Sequence, residues 1–262
     1  MGIVSRREHG GETVLAIDTG MTAKAFSHSR VQQSLTKPGY RISPDGAVSE
    51  WLAMGTFCEE DGGQDRFGRI FAYGPDFTGN SLAAEACGED RARAWGLLHR
   101  CVSAILRASQ ERIGPGRPDG AELLRSATEA GPGAVICGDD GSVLLVPAGL
   151  YLGSLASHGE AIETAERLRW TLHRPGDPGR ALAFMTGTLA YRIIAGKFPF
   201  ESILENGLTG DGYANPASSL ATLVNAEAVM PLALERPELR PEAAAAIDGM
   251  ILPSRASQVD TL

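Results

Sequence analysis

AVICGDDGSVLLVPAG, residues 134–149, reads as two short strands, AVIC and SVLLV, folded about Asp139-Asp140-Gly141. Runs rich in β-branched residues favour strands, and an Asp-Gly step tolerates the backbone of a tight hairpin turn. The two aspartates are turn residues in this reading, accepting hydrogen bonds from nearby backbone. Outward from the hairpin the period is helical. In GEDRARAWGLLHRCVSAILRASQER, Ala94, Leu97, Leu98, Cys101, Ile105 and Leu106 recur at three- and four-residue spacing, which predicts one long amphipathic helix with these residues inward. GPGRPDG at 114–120 stops it, and AELLRSATEA forms a shorter helix before the hairpin. Beyond it, helices are expected over 159–170, 180–196 and 217–234, with a last one in PEAAAAIDGMIL behind Pro241.

The first eighty residues have the opposite character. IVS at 3–5, ETVLAI at 12–17, MTAKAF at 21–26 and RIFAYG at 69–74 are strand-length runs. Asp18-Thr19-Gly20 is expected to turn the second into the third, and GGQD at 62–65 to turn a strand near Thr56–Cys58 into the one at Arg69. A short helix is expected around SEWLAMG, residues 49–55. The chain is therefore β-rich first and α-rich afterward, an α+β pattern with no internal repeat.

Composition bounds the function. The 262 residues make one large domain or two small ones, since domains run to ~100–200 residues. Hydrophobic residues at 43% and charged residues at 21%, with a mean hydropathy of -0.08, exclude fibrous and disordered classes, and no apolar stretch is long enough for a membrane span. The N-terminus MGIVSRREHGGE lacks the apolar run of a secretory signal, so a cytoplasmic protein is expected. A net charge of -8 argues against nucleic acid as a partner, because phosphate affinity needs clustered cations. The cations are nearly all arginine; lysine occurs at Lys24, Lys37 and Lys197. Cys58, Cys87, Cys101 and Cys137 form no CxxC pair and the five histidines no ligand spacing, so buried free thiols and no metal site are expected.

Several segments in order resemble eukaryotic-like protein kinases of the bacterial type. Residues 134–149 are similar to the hairpin that carries the catalytic-loop asparagine at one end and Asp-Phe-Gly at the other. ALAFMTGTLAYRIIAGKFPFE at 181–201 matches a kinase pattern through Phe184, Gly187, Leu189, Tyr191, Gly196, Pro199 and Phe200. ERPELRPEAAAAIDGMILPSR resembles the closing pattern, with Arg255 at its arginine, and TGNSLAAEA at 78–86 resembles the stretch leaving the hinge. Gly10, Gly11 and Lys24 resemble a worn glycine loop and strand lysine, the nucleotide-binding candidates. The resemblance implies a two-lobed fold: a small β-rich lobe over 1–77, a larger helical lobe over 78–257, and a tail or linker at 258–262.

The departures decide what it implies about chemistry. Phosphotransfer in that family relies on an aspartate orienting the acceptor and on an asparagine and aspartate holding magnesium. At those positions stand Glu129, then Gly131 for the lysine, Ala134 for the asparagine, and Pro147 opening Pro147-Ala148-Gly149. Leu182 replaces a further aspartate. The resemblance therefore implies a pseudokinase with no catalytic residues, no metal, no cofactor beyond weak ATP, and a protein partner or further domains of a longer chain. Two alternatives stand beside it: an atypical phosphotransferase with a non-standard site, and an actin-like sugar kinase using Asp18 in VLAIDTGMTAKAF as a phosphate-loop aspartate. A third is a plain α/β interaction domain.

Overall fold

The structure is a computed structural model that describes residues 4–9, 11–22, 39–51, 55–59, 69–110, 118–152, 177–199 and 229–252. It is a mixed α+β protein with two antiparallel sheets. Strands β1 (Val4–His9), β2 (Glu12–Thr22), β5 (Gly55–Glu59) and β6 (Arg69–Pro75) form the first sheet in the order β1-β2-β6-β5. Strands β3 (Gly39–Ile42), β4 (Val48–Trp51), β7 (Gly79–Ser81), β8 (Val135–Gly138) and β9 (Val143–Leu145) form the second in the order β4-β3-β9-β8-β7. Strands β8 and β9 are the hairpin expected at 134–149, and Gly141 takes the positive φ, 84°, that its turn requires. The pair β5 and β6 matches the hairpin expected near Arg69, with Glu59 opposite Arg69.

Two local expectations are overturned. Asp18-Thr19-Gly20 is not a turn: β2 runs through it along β6, where Asp18 pairs with Phe71 and Thr22 with Arg69 across a register shift. Pairing with β6 on either side of the irregularity makes extended backbone with a bulge more favourable there than a reversal. The reversal lies earlier, where His9 pairs with Glu12 and Gly11 adopts φ 86°. Ser49–Trp51 is strand rather than helix, because Gly39–Ile42 pairs with Val48–Trp51 across a tight turn at Ser43–Ala47. That pairing buries Trp51 and carries the hairpin onto β9, so backbone hydrogen bonds join residues 40–42 to 143–145.

The helices follow the apolar spacing. They are α1 (Leu82–Cys87), α2 (Arg91–Gln110), α3 (Gly120–Thr128), α4 (Pro178–Ala195), α5 (Leu232–Glu235) and α6 (Pro241–Ile251). Asp90 caps α2 by accepting from the Arg93 N–H at 2.9 Å, and Asp177 caps α4 by accepting from Gly179 and Arg180. Ala94, Leu97, Leu98, Cys101 and Ile105 of α2 are buried, but Leu106 is 40% exposed: one residue past Ile105 turns it off the inward stripe. Phe184, Leu189, Tyr191 and Ile193 of α4 are all buried. The axes of α4 and α6 come close because Gly187 has no side chain; a Cβ there would stand 2.6 Å from Met250 Cβ.

The cysteines also depart from expectation. Cys101 on α2 and Cys137 on β8 are joined by a disulfide, with Cα atoms 6.6 Å apart, while Cys87 is free and exposed. They are 36 residues apart, one on a helix and one on a strand, so no short spacing announces the pair. The Cys58 side chain, Gly10, Lys24, the expected helix at 159–170, residues 217–228 of the next, Arg255 and the 258–262 tail lie outside the described residues.

Two apolar clusters hold the fold. The larger packs Tyr40, Ile42, Val135, Val143 and Leu145 from the second sheet against α1, α2, α3, α4 and α6. The smaller takes the opposite face, Ile136, Leu144 and Val146, against Leu15 and Ile17 of the first sheet, Trp51 and Phe77. Burial on both faces is why the hairpin strands read as unbroken apolar runs instead of alternating ones. Among the described residues no helix is long and apolar enough to cross a membrane.

Candidate functional site

Of the residues singled out by sequence, Gly131, Ala134 and Pro147 lie at the open end of the β8–β9 hairpin. Helix α3 ends at Glu129, whose N–H donates to the Arg125 carbonyl at 2.8 Å and whose side chain is exposed. Gly131 follows with φ 75° and ψ -178°, a conformation that disfavours any residue with a Cβ, and its N–H donates to the Thr128 carbonyl. A single 3₁₀ turn, Pro132–Ala134, leads into β8. Ala134 is 1% exposed, and its carbonyl accepts from the Val146 N–H at 2.9 Å. Pro147, next along, is buried, and its carbonyl accepts from the Tyr151 N–H at 3.0 Å.

Ala134 and Pro147 are thus brought together across the hairpin base, while Glu129 stands apart at the surface. Gly11 sits in the β1–β2 turn with nothing within 4 Å of where a Cβ would be. Asp18 lies inside β2, not in a loop between strands.

Side chains fill the space between the first sheet and this hairpin. The Trp51 indole is 4% exposed, donates through Nε1 to the Pro75 carbonyl at 3.4 Å, and lies against two glycines. A Cβ at Gly39 would stand 2.9 Å from its Cε3, and one at Gly74 would collide with the ring. The Tyr151 ring covers Gly133 just as closely; a Cβ there would be 2.7 Å from Cζ. With Leu15, Ile17, Ala130, Ala134, Leu144, Val146 and Leu150 these rings form a continuous apolar plug. Trp51 and Tyr151 are the site residues that sequence reading missed. The signal for Trp51 is the pair of glycines on either side of it, and they are brought together only by the two sheets.

Charge lies outside the plug, around the hairpin turn. A groove of about 360 Å³ is lined there by Arg41, Asp76, Phe77, Asp139, Asp140 and Ser142. The Arg41 guanidinium sits 5.5 Å over the Phe77 ring and 3.9 Å from Asp140. Asp140 accepts from Ser142 Oγ at 2.5 Å and from its N–H at 2.9 Å, and these bonds hold its carboxyl below the usual carboxylate range. Arg6 grips Asp76 with two bonds of 2.6 and 2.8 Å, which lowers that carboxyl and raises the guanidinium. Arg93 bridges Asp139 at 2.8 Å and Glu85 at 3.2 Å. Each carboxylate of the groove thus has a partner within the chain. Among the described residues no group of three His, Cys, Asp or Glu side chains stands together to take a metal ion.

No protein-family model matches the chain, and no curated protein is similar to it.

Proposed function

We propose that this chain is a protein-kinase-like domain of the two-lobed kind that has given up phosphotransfer and works by binding another protein. The ordered kinase-like segments at 78–86, 134–149, 181–201 and 235–255 support the kinship. The observation that carries the loss of chemistry is the pair Ala134 and Pro147: both are buried at the hairpin base, and neither offers a hard oxygen to magnesium. The apolar plug behind them supports the reading, because Trp51, Leu144 and Val146 pack there as buried apolar neighbours of the hairpin base. Glu129 cannot take over as acceptor base at that spot, being exposed at the end of α3.

The test is a thermal-shift titration of the full chain with ATP, alone and with magnesium or manganese, alongside transfer assays with labelled ATP. A ligand that binds the native state raises its Tm by mass action. The expected result is a shift of less than about 1 °C at millimolar ATP, independent of metal, and no label above a Lys24→Ala control. Metal-dependent autophosphorylation that is lost in Glu129→Gln would overturn the reading.

A further inference from the structure

We infer that Cys101 and Cys137 act as a redox latch that fastens the β8–β9 hairpin to the long helix α2. Three observations carry this. The disulfide adds a covalent tie between α2 and β8, an inner strand of the second sheet, which otherwise meet through apolar packing and, at the hairpin turn, through the exposed Arg93–Asp139 ion pair. Both cysteines are buried, at 2% and 5% exposure, inside the larger apolar cluster, so no reagent reaches the sulfurs while hairpin and helix stay packed. The strand that the bond holds begins one residue after Ala134, so the latch acts on the segment that forms the base of the candidate site.

The chemistry is thiol–disulfide exchange with a small-molecule or protein disulfide as oxidant. The thiolate of one cysteine attacks a sulfur of glutathione disulfide, forming a mixed disulfide and expelling one glutathione thiolate. The second cysteine then attacks the protein-bound sulfur, which releases the other glutathione. Two protein thiols lose two electrons and two protons in all, and glutathione disulfide becomes two thiols. Because both sulfurs are covered, each step needs the hairpin to part from α2. In the oxidised state the latch should therefore resist reductants, and in the reduced state it should close only as fast as the hairpin opens.

The test compares the full chain equilibrated with glutathione disulfide and with dithiothreitol. Peptide mapping after alkylation in denaturant should find residues 101 and 137 linked in the first sample and both alkylated in the second. Reduction should lower Tm by roughly 5–10 °C and speed amide exchange in 135–146 about tenfold or more. Cys58→Ala/Cys87→Ala should keep this response, and Cys101→Ala alone should abolish it. Alkylation at 101 and 137 after exposure to glutathione disulfide, or hairpin exchange rates identical in both samples, would overturn the inference.

Discussion

Ala134→Asn places at the hairpin base the side chain that a kinase-like magnesium site would need, and the geometry says it should damage the fold without creating metal-dependent chemistry. Ala134 is 1% exposed and packs in the cluster with Ala130, Ile136, Val146, Leu150 and Tyr151. Three added heavy atoms overpack that space, at about 1–3 kcal/mol. The new amide also gives up water among apolar neighbours, at about 1–3 kcal/mol more. The sum, roughly 2–6 kcal/mol, is a large part of the ~5–15 kcal/mol that holds a domain together. In a chain of this size it corresponds to a fall in Tm of roughly 5–20 °C. Urea unfolding checks the figure, since an unchanged m-value means that stability and not the unfolded state has moved. Glu129→Gln, on an exposed side chain, is the control and should stay within about 0.5 kcal/mol of the parent. Adding Pro147→Asp should deepen the loss, with no gain in ATP binding. A stable Ala134→Asn chain whose Tm rises several degrees with magnesium and ATP would show the hairpin base to be open, and the plug argument would fail.

Leu189→Ala removes a fully buried side chain from the middle of α4 and should cost about 2–5 kcal/mol by urea titration; a cost under 1 would mean α4 is not central to the core. Gly187→Val should push Met250 and Ile251 aside and lower stability by about 1–3 kcal/mol, with α6 the first element to gain amide exchange. Alkali should act through Tyr191, whose pKa is pushed up to about 12 by burial and then by Glu235 and Asp248. A raised pKa means that this stabilisation is whole below the ordinary value near 10 and is lost as pH climbs toward 12. Tyr191→Phe should therefore flatten the fall of Tm between pH 10 and 12, and an unaltered slope would place the alkaline sensitivity elsewhere.

What the sequence made legible is local. The hairpin at 134–149, the helices at 91–110, 120–128, 178–195 and 241–251, and the inward face of α4 follow from spacing, capping and glycine turns within a few residues of each element. The misses share a cause: each depends on a pairing partner outside the segment itself, near along the chain in one case and far in the others. Asp18-Thr19-Gly20 has turn composition, yet pairing with β6 before and after it keeps the strand extended. SEWLAMG has a helical pattern, yet Gly39–Ile42 pairs with its first residues. Cys101 and Cys137 carry no motif and meet because α2 crosses β8. At the candidate site Gly131, Ala134 and Pro147 could be read one by one, whereas the plug around them could not. Trp51, Leu15, Phe77 and Tyr151 come from four separate segments.

The plug also bears on why Ala134 and Pro147 suit the hairpin base. A carboxylate at position 147, or an amide at 134, is tolerable in a buried place when a metal or hydrogen-bond partner meets it, and costs several kcal/mol when none does. Once the neighbouring space holds Trp51 and Tyr151, a polar group there has lost its compensation, and an alanine and a proline fit the apolar surroundings better. Asn at 134 or Asp at 147, introduced alone, is therefore expected to cost stability without gaining a partner. Charge lies at the far end of the hairpin, where Asp139 and Asp140 face water and pair with Arg93 and Arg41. At such exposed positions ion pairs contribute little to stability but remain free to re-pair with charges on another surface.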